Sequence, residues 1–156
     1  MPYKGFTLVE LLISVSVIVI LTAIALPIFA TTGSNQTLTQ NFENIKSDLR
    51  IVQAKSLSGI VSGDNGYWGI RFNCAGGKAV SYILGQPNNA SDPLSEIYPG
   101  IQKLLTFGVY VKCSNSFQVV FLKNTAKPAE GSISIVVADG KNADKTIVVN
   151  AQGSVE

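Results

Sequence analysis

The 156-residue sequence contains no histidine. That removes Ser-His-Asp and Cys-His nucleophilic machinery and every His-ligated metal site. Cysteine is nearly missing too: Cys74 and Cys113 are the only two, too few for a zinc cage. Such a pair makes one disulfide in an oxidising compartment and stays as two thiols elsewhere. Charge is scarce: Asp, Glu, Lys and Arg make up 14% of the chain, against about a quarter in an average soluble domain. The lysines are scattered, and a net charge of +2 does not steer the chain to a polyanion. A hydrolytic site would have to rest on a Lys-Ser or paired-Asp arrangement, and no convincing acid pair is present. The chain is expected to catalyse nothing and to need no cofactor.

What the sequence does have is apolar surface, much of it in the first thirty positions. In residues 6–30 the only charge is Glu10. As a helix this run extends about 37 Å at ~1.5 Å per residue, enough to cross a hydrocarbon core of about 30 Å. A charge inside a membrane helix costs roughly 3 kcal/mol at its centre and is usually there for a function. A secretory signal peptide fits Lys4 and the small residues "AIA" at 23–25, but its apolar region should lack a charge such as Glu10. Pro27 removes a helix hydrogen bond and invites a kink, and the polar segment "TTGSNQ" at 31–36, with Gly33, invites the helix to loosen or bend.

Leu38, Phe42, Ile45, Leu49 and Val52 then recur at helical spacing, one apolar stripe on an amphipathic helix. Gln40, Glu43, Lys46, Asp48 and Arg50 are expected on its wet face. Gly59 is the expected stop. From residue 66 the grammar is β. "YWGIRFNC" (67–74), "KAVSYIL" (78–84), "LLTFGVYVKC" (104–113), "SFQVVFLK" (116–123), "GSISIVVA" (131–138) and "KTIVVN" (145–150) are separated by turn-like segments. In residues 131–138 Ile133, Ile135 and Val137 alternate with Ser132, Ser134 and Val136, as a one-sided sheet requires. Residues 85–103 are the least regular stretch.

The opening "KGFTLVELL" resembles the processing signal of type IV prepilins and type II secretion pseudopilins: Lys4, Gly5, Phe6, Thr7, Leu8, Val9 and Glu10, then an unbroken apolar helix. Pro27 lies where that family's helix carries its kink-forming proline. The resemblance implies cleavage by a prepilin peptidase between Gly5 and Phe6, and N-methylation of Phe6. It implies an α+β, pilin-like fold: a long N-terminal helix, transmembrane in its first half and amphipathic in its second, packed on a C-terminal antiparallel β-sheet head. The expected divisions are a leader (1–5), a transmembrane or filament-core half-helix (6–30), an amphipathic half-helix (31–59) and a β-rich head (60–156). The implied partners are other pilin or pseudopilin subunits, the prepilin peptidase, an inner-membrane assembly platform and, before assembly, membrane lipid. The implied location is the cytoplasmic (inner) membrane as a single pass with the head outside the cytoplasm, then a pilus or pseudopilus. Under this reading cleavage creates an ammonium at Phe6, and Glu10 of one subunit meets the Phe6 amine of its neighbour. The pair offsets charges that are costly alone and fixes register. The alternative is that Glu10 only reaches for the headgroups.

"LRIVQAKSLSG" with "YWGIRF" resembles the helix end and first head strand of H-type minor pseudopilins and FimT-like minor pilins. The tail is similar to that group's closing hairpin, with an Asn-x-x-Gly turn at residues 150–153. The members of that group that bind DNA carry a basic Gly-Arg-x-Arg ending, whereas here the residues are Gly153, Ser154, Val155 and Glu156. The departure argues against DNA capture at that site, since DNA affinity rests on Lys and Arg at phosphates. The rival reading is a competence-pilus subunit that binds DNA through Lys123, Lys127, Lys141 and Lys145.

With the head outside the cytoplasm, Cys74 and Cys113 are expected to pair, closing a loop of roughly 40 residues worth roughly 4 kcal/mol and pinning 85–103 to the sheet. Asp139, Asn142 and Asp144 share a loop, and clustered oxygen ligands suit Ca²⁺; the loop lacks EF-hand spacing, and a hairpin turn is the expected reading. "SGDNGYW" at 62–68 reads as a turn, and Tyr67 and Trp68 as core packing rather than an exposed pair.

Overall fold

The computed structural model describes residues 5, 7–59, 67–87 and 101–156, the side chains of residues 25–32 excepted. The chain divides into two compact units, residues 1–36 and 37–156. One helix, α1 (Leu8–Ser58), contributes to both. It is helical through Gly33, so the polar segment does not break it. Pro27 lies within it, its side chain outside the described residues.

Among the described residues of the first unit the helix is the only regular element. Every large apolar side chain described in residues 8–24 is half exposed or more. Contiguous apolar surface of this extent marks a site that some partner covers. Among the described residues no helix is long and apolar enough to cross a membrane. The run read from the sequence, residues 6–30, extends past those residues at both ends, through Phe6 and through residues 25–30.

In the second unit the apolar stripe is buried as its spacing requires. Leu38, Ile45, Leu49 and Val52 are fully covered, and Phe42 packs at the margin. The helix stops at Ser58, and Gly59 takes a left-handed φ of 60°. Against the stripe lie two four-stranded antiparallel sheets rather than one. The strands are β1 (Trp68–Phe72), β2 (Lys78–Ala79), β3 (Ser81–Gly85), β4 (Ile101–Leu104), β5 (Tyr110–Lys112), β6 (Phe117–Phe121), β7 (Ile133–Ala138) and β8 (Lys145–Val149). The orders are β4-β3-β1-β6 and β2-β5-β7-β8. Ile135 and Val137 point into the core while Ser132 and Ser134 are exposed, the one-sided pattern of β7. Val119, Phe121, Ile70 and Phe72 from the first sheet meet Val111, Ile147 and Val149 from the second in one cluster with the helix stripe.

Three expectations are corrected. The run 78–84 is not one strand: it divides into β2 and β3, which join different sheets. The run 104–113 is not one strand. Its first residue ends β4, a turn follows at residues 106–109, and β5 joins the other sheet. The apolar periodicity ran through the turn because Phe107 is apolar. The stretch 85–103 is not wholly irregular, since β4 begins at Ile101 and pairs with β3; residues 88–100 lie outside the described residues, as do 62–66 of the expected turn.

Candidate assembly site at the helix N-terminus

The first turn of α1 is closed by two side chains. Glu10 N–H donates to Thr7 Oγ1 (3.3 Å), and Glu10 Oε2 accepts from Thr7 N–H (3.4 Å) and from its hydroxyl (3.4 Å). Thr7 at the N-cap and Glu10 three residues on form a capping box, which satisfies helix donors that have no partner of their own. The carboxylate also stands at the positive end of the helix dipole. The sequence reading missed this role, although Thr-x-x-Glu directly before an apolar run is its signature. The two bonds to Glu10 exceed the usual 2.7–3.2 Å range, and a carboxylate has about four acceptor positions. Glu10, which is exposed, retains capacity for a stronger cationic partner. Gly5 is exposed, and Phe6 lies outside the described residues.

The head holds a second polar cluster. Asp48 is 2% exposed, against its expected place on the wet face. Tyr82 donates its hydroxyl to Asp48 Oδ2 (2.6 Å), and Lys103 Nζ pairs with Oδ1 (2.7 Å). Both partners come from the sheet, so periodicity along the helix gave no sign of them. Burial first, then the bond to Asp48 and its charge, push the Tyr82 phenol well above its ordinary pKa of 10.0. Asn41, 4% exposed, is another buried polar helix residue missed: it donates to Thr106 Oγ1 (3.0 Å) and accepts from Thr106 N–H (3.1 Å).

Cys74 and Cys113 are bonded, their Cα atoms 6.2 Å apart. Cys74 follows β1 and Cys113 follows β5, so the bond joins the two sheets. The loop of residues 139–144 closes on itself. Asp139 Oδ1 accepts from the N–H groups of Asn142 (2.8 Å) and Lys141 (2.9 Å), which hold its pKa below the usual value. Asp144 pairs with Lys112, which raises the lysine's pKa. Carboxylates spent in this way do not converge on a cation, and among the described residues no cluster of metal-ligating side chains occurs.

The four lysines of the DNA-binding alternative do not converge either. Lys145 Nζ donates to Thr39 Oγ1 (2.9 Å), near the start of the head's helix. Lys123 and Lys127 flank a turn whose Asn124 N–H donates to Ser56 O (3.0 Å), near its end. Those helix positions are about 25 Å apart at ~1.5 Å per residue. Trp68 packs on the core, with Lys55 Nζ 4.3 Å from its ring centre. In the closing turn Gly153 N–H donates to Asn150 O (2.9 Å), and Gln53 Nε2 on the helix donates to Gly153 O (2.5 Å).

Residues 1–26 match the family model of the prokaryotic N-terminal methylation motif. The fold matches the crystal structure of the type IV minor pilin FimU of Pseudomonas aeruginosa with a TM-score of 0.54. The two are 10% identical over 76% of this chain and 90% of that one. No curated protein sequence matches the chain.

Proposed function

We propose that this type IV pilin-like chain is a minor structural subunit, made as a membrane-inserted precursor, cut after Gly5, N-methylated at Phe6 and added to a pilus or a secretion pseudopilus. The observation that carries the reading is a methylation-motif match over residues 1–26 that takes in the start of a helix whose described apolar side chains in residues 8–24 have no cover of their own. Lipid covers that surface in the precursor, and the helices of neighbouring subunits cover it in the filament. Residues 6–30 are the span, and the head lies outside the cytoplasm, where an oxidising compartment suits the Cys74–Cys113 bond.

The capping box gives Glu10 a task before assembly as well as during it. In the precursor it closes the first helical turn. Cleavage then places an ammonium next to Thr7, and the carboxylate exchanges two long bonds for a charge pair with the Phe6 amine of an adjacent subunit. Such a pair is worth most where water is excluded and where neither charge has another partner. Prepilin peptidase and an inner-membrane platform act on the chain, which itself performs no chemistry. Nothing in the placement of Lys123, Lys127, Lys141 and Lys145 favours DNA capture.

The test is recovery of the chain in filaments sheared from cells. It is expected there in cells with an active prepilin peptidase and in the membrane fraction, uncut, in cells without one. A chain that stays out of sheared filaments while fully processed contradicts the proposal.

A further inference from the structure

Arg71 stands on β1, an inner strand of the sheet β4-β3-β1-β6. Its neighbours Ile70 and Phe72 are buried in the core, on the side from which Tyr82 and Lys103 reach Asp48 of the helix. By strand alternation Arg71 therefore points to the other face, away from α1. The register sets it in one row with Ile83 on β3, Gln102 on β4 and Gln118 on β6. Arg71 is the one charge in that row. It is half-buried, and among the described residues no carboxylate pairs with it. A cation drawn partly out of water is costly without a partner. A guanidinium suits a desolvated carboxylate, which its planar fork can meet with two hydrogen bonds. Leu104, 77% exposed, lies on the same face of β4 as Gln102.

The other side of the head is the outward face of α1, and it holds the complement. Glu43 is exposed there, and the cations nearest it along the helix are engaged elsewhere. Lys46 lies over the Phe42 ring, 5.8 Å from its centre, and Arg50 donates to Val155 O (3.4 Å). Ile51, 45% exposed, follows about two turns later. The spacings agree. From Glu43 to Ile51 the helix rises about 12 Å at ~1.5 Å per residue. From Arg71 to Leu104 is two strands across at ~4.8 Å each and two residues along at ~3.3 Å each, a diagonal of about 12 Å. The head's other described carboxylates do not offer this. Asp48 and Asp144 pair with lysines, Asp139 is bonded within its own loop, and Glu156 accepts from Ser154 Oγ (3.2 Å). Glu130 has no exposed large apolar side chain on its segment between β6 and β7.

We infer that Arg71 and Glu43 are the two halves of a contact between copies of this chain. The outer face of the sheet in one head lies on the outward face of α1 in the next, with Leu104 over Ile51. The two halves occupy opposite sides of one head, so the contact is heterologous: each copy leaves one half open, and a further copy adds to it rather than closing a dimer. The contact is small. A stable interface takes about 800 Å² from each partner, so this one is weak between free chains and acts where copies are already held close together. It adds a contact between heads to the proposed function and does not depend on processing at Gly5.

The test is Arg71→Lys in the full chain, which keeps the charge and supplies an amine. Unlabelled and heavy-nitrogen chains are mixed in detergent micelles and treated with a carbodiimide, which joins an amine to a touching carboxylate as an amide with net loss of water. Mass spectrometry is expected to find the new amine of one isotope joined to Glu43 of the other. The link should vanish in Arg71→Lys with Glu43→Gln, and should fall severalfold at ~1 M salt, where the screening length is about 3 Å. With the arginine in place, Arg71→Glu and Glu43→Arg chains should each sediment as smaller species than the parent and recover its profile when mixed. No link between isotopes, a link to Glu130 or Glu156 in place of Glu43, or a mixture no larger than its components overturns the inference. Chain that forms no such link yet enters sheared filaments overturns it and leaves the proposed function standing.

Discussion

Glu10 caps its helix, and one substitution separates that role from the proposed pairing with the Phe6 amine. Gln serves in a capping box as Glu does but brings no charge. Glu10→Gln is expected to leave insertion and cleavage normal, because the helix start survives, and to lower incorporation into filaments. Normal incorporation, read by sheared-fraction immunoblot, would make the carboxylate a cap and nothing more. Glu10→Val, which removes cap and charge together, is expected to insert and be cut but to incorporate no better. Tyr82 offers a pH test. Its folded pKa is raised, so the fold keeps the phenolic proton where the unfolded chain, near 10.0, releases it. The stabilisation is full below about pH 10 and is lost as pH rises above it. Urea unfolding should show Tyr82→Phe weaker by about 1.5–3 kcal/mol at neutral pH, the worth of a hydrogen bond to a charged group. The variant should also lose stability less steeply above pH 10. An identical alkaline slope would mean that Tyr82 is not the titrating group. At this scale the sequence was partly legible. Thr7 and Glu10 carried a readable capping signature. Asp48 did not, because its burial is decided by Tyr82 and Lys103 from strands remote in sequence.

Among the elements, the helix stripe and its stop at Gly59 were readable because local spacing and one glycine specify them. The split of residues 104–113 between two sheets was not. Alternating apolar residues reveal a strand but not the sheet it joins, and Phe107 disguises the turn. The Cys74–Cys113 bond spans that division. Replacing both cysteines by serine should lower stability by about 4 kcal/mol on a loop-entropy basis and loosen the β1–β5 ends first, as hydrogen exchange would register. Equal exchange at both ends with and without the bond would contradict its role as a staple between sheets. The closing turn is as constrained. A Cβ on Gly153 would collide with the carbonyl oxygen of Ala126, and its φ of 94° is one that L side chains rarely adopt. Gly153→Ala is therefore expected to cost more than about 1 kcal/mol, measured as a lower thermal midpoint. An unchanged midpoint would show that the turn is not held against Gln53 and Ala126.

At the scale of the whole molecule, the two units have opposite needs. Residues 37–156 bury their own core between a helix stripe and two sheets, while the helix in residues 8–24 leaves its apolar side chains uncovered. In the proposed reading such a chain is completed by its surroundings, lipid first and then neighbouring helices, and the change from one to the other begins with a cut in the peptide chain. The head's fold says what family of shapes this is, but the proposal places the fate of the chain at residues 5 and 6, where cleavage would create a new amine four positions before Glu10. The intact mass of the mature protein, taken from cells with a working prepilin peptidase, tests this most directly. The account predicts a chain beginning at Phe6 and carrying one added methyl group. An uncut chain, or one cut after Ala25, would contradict it.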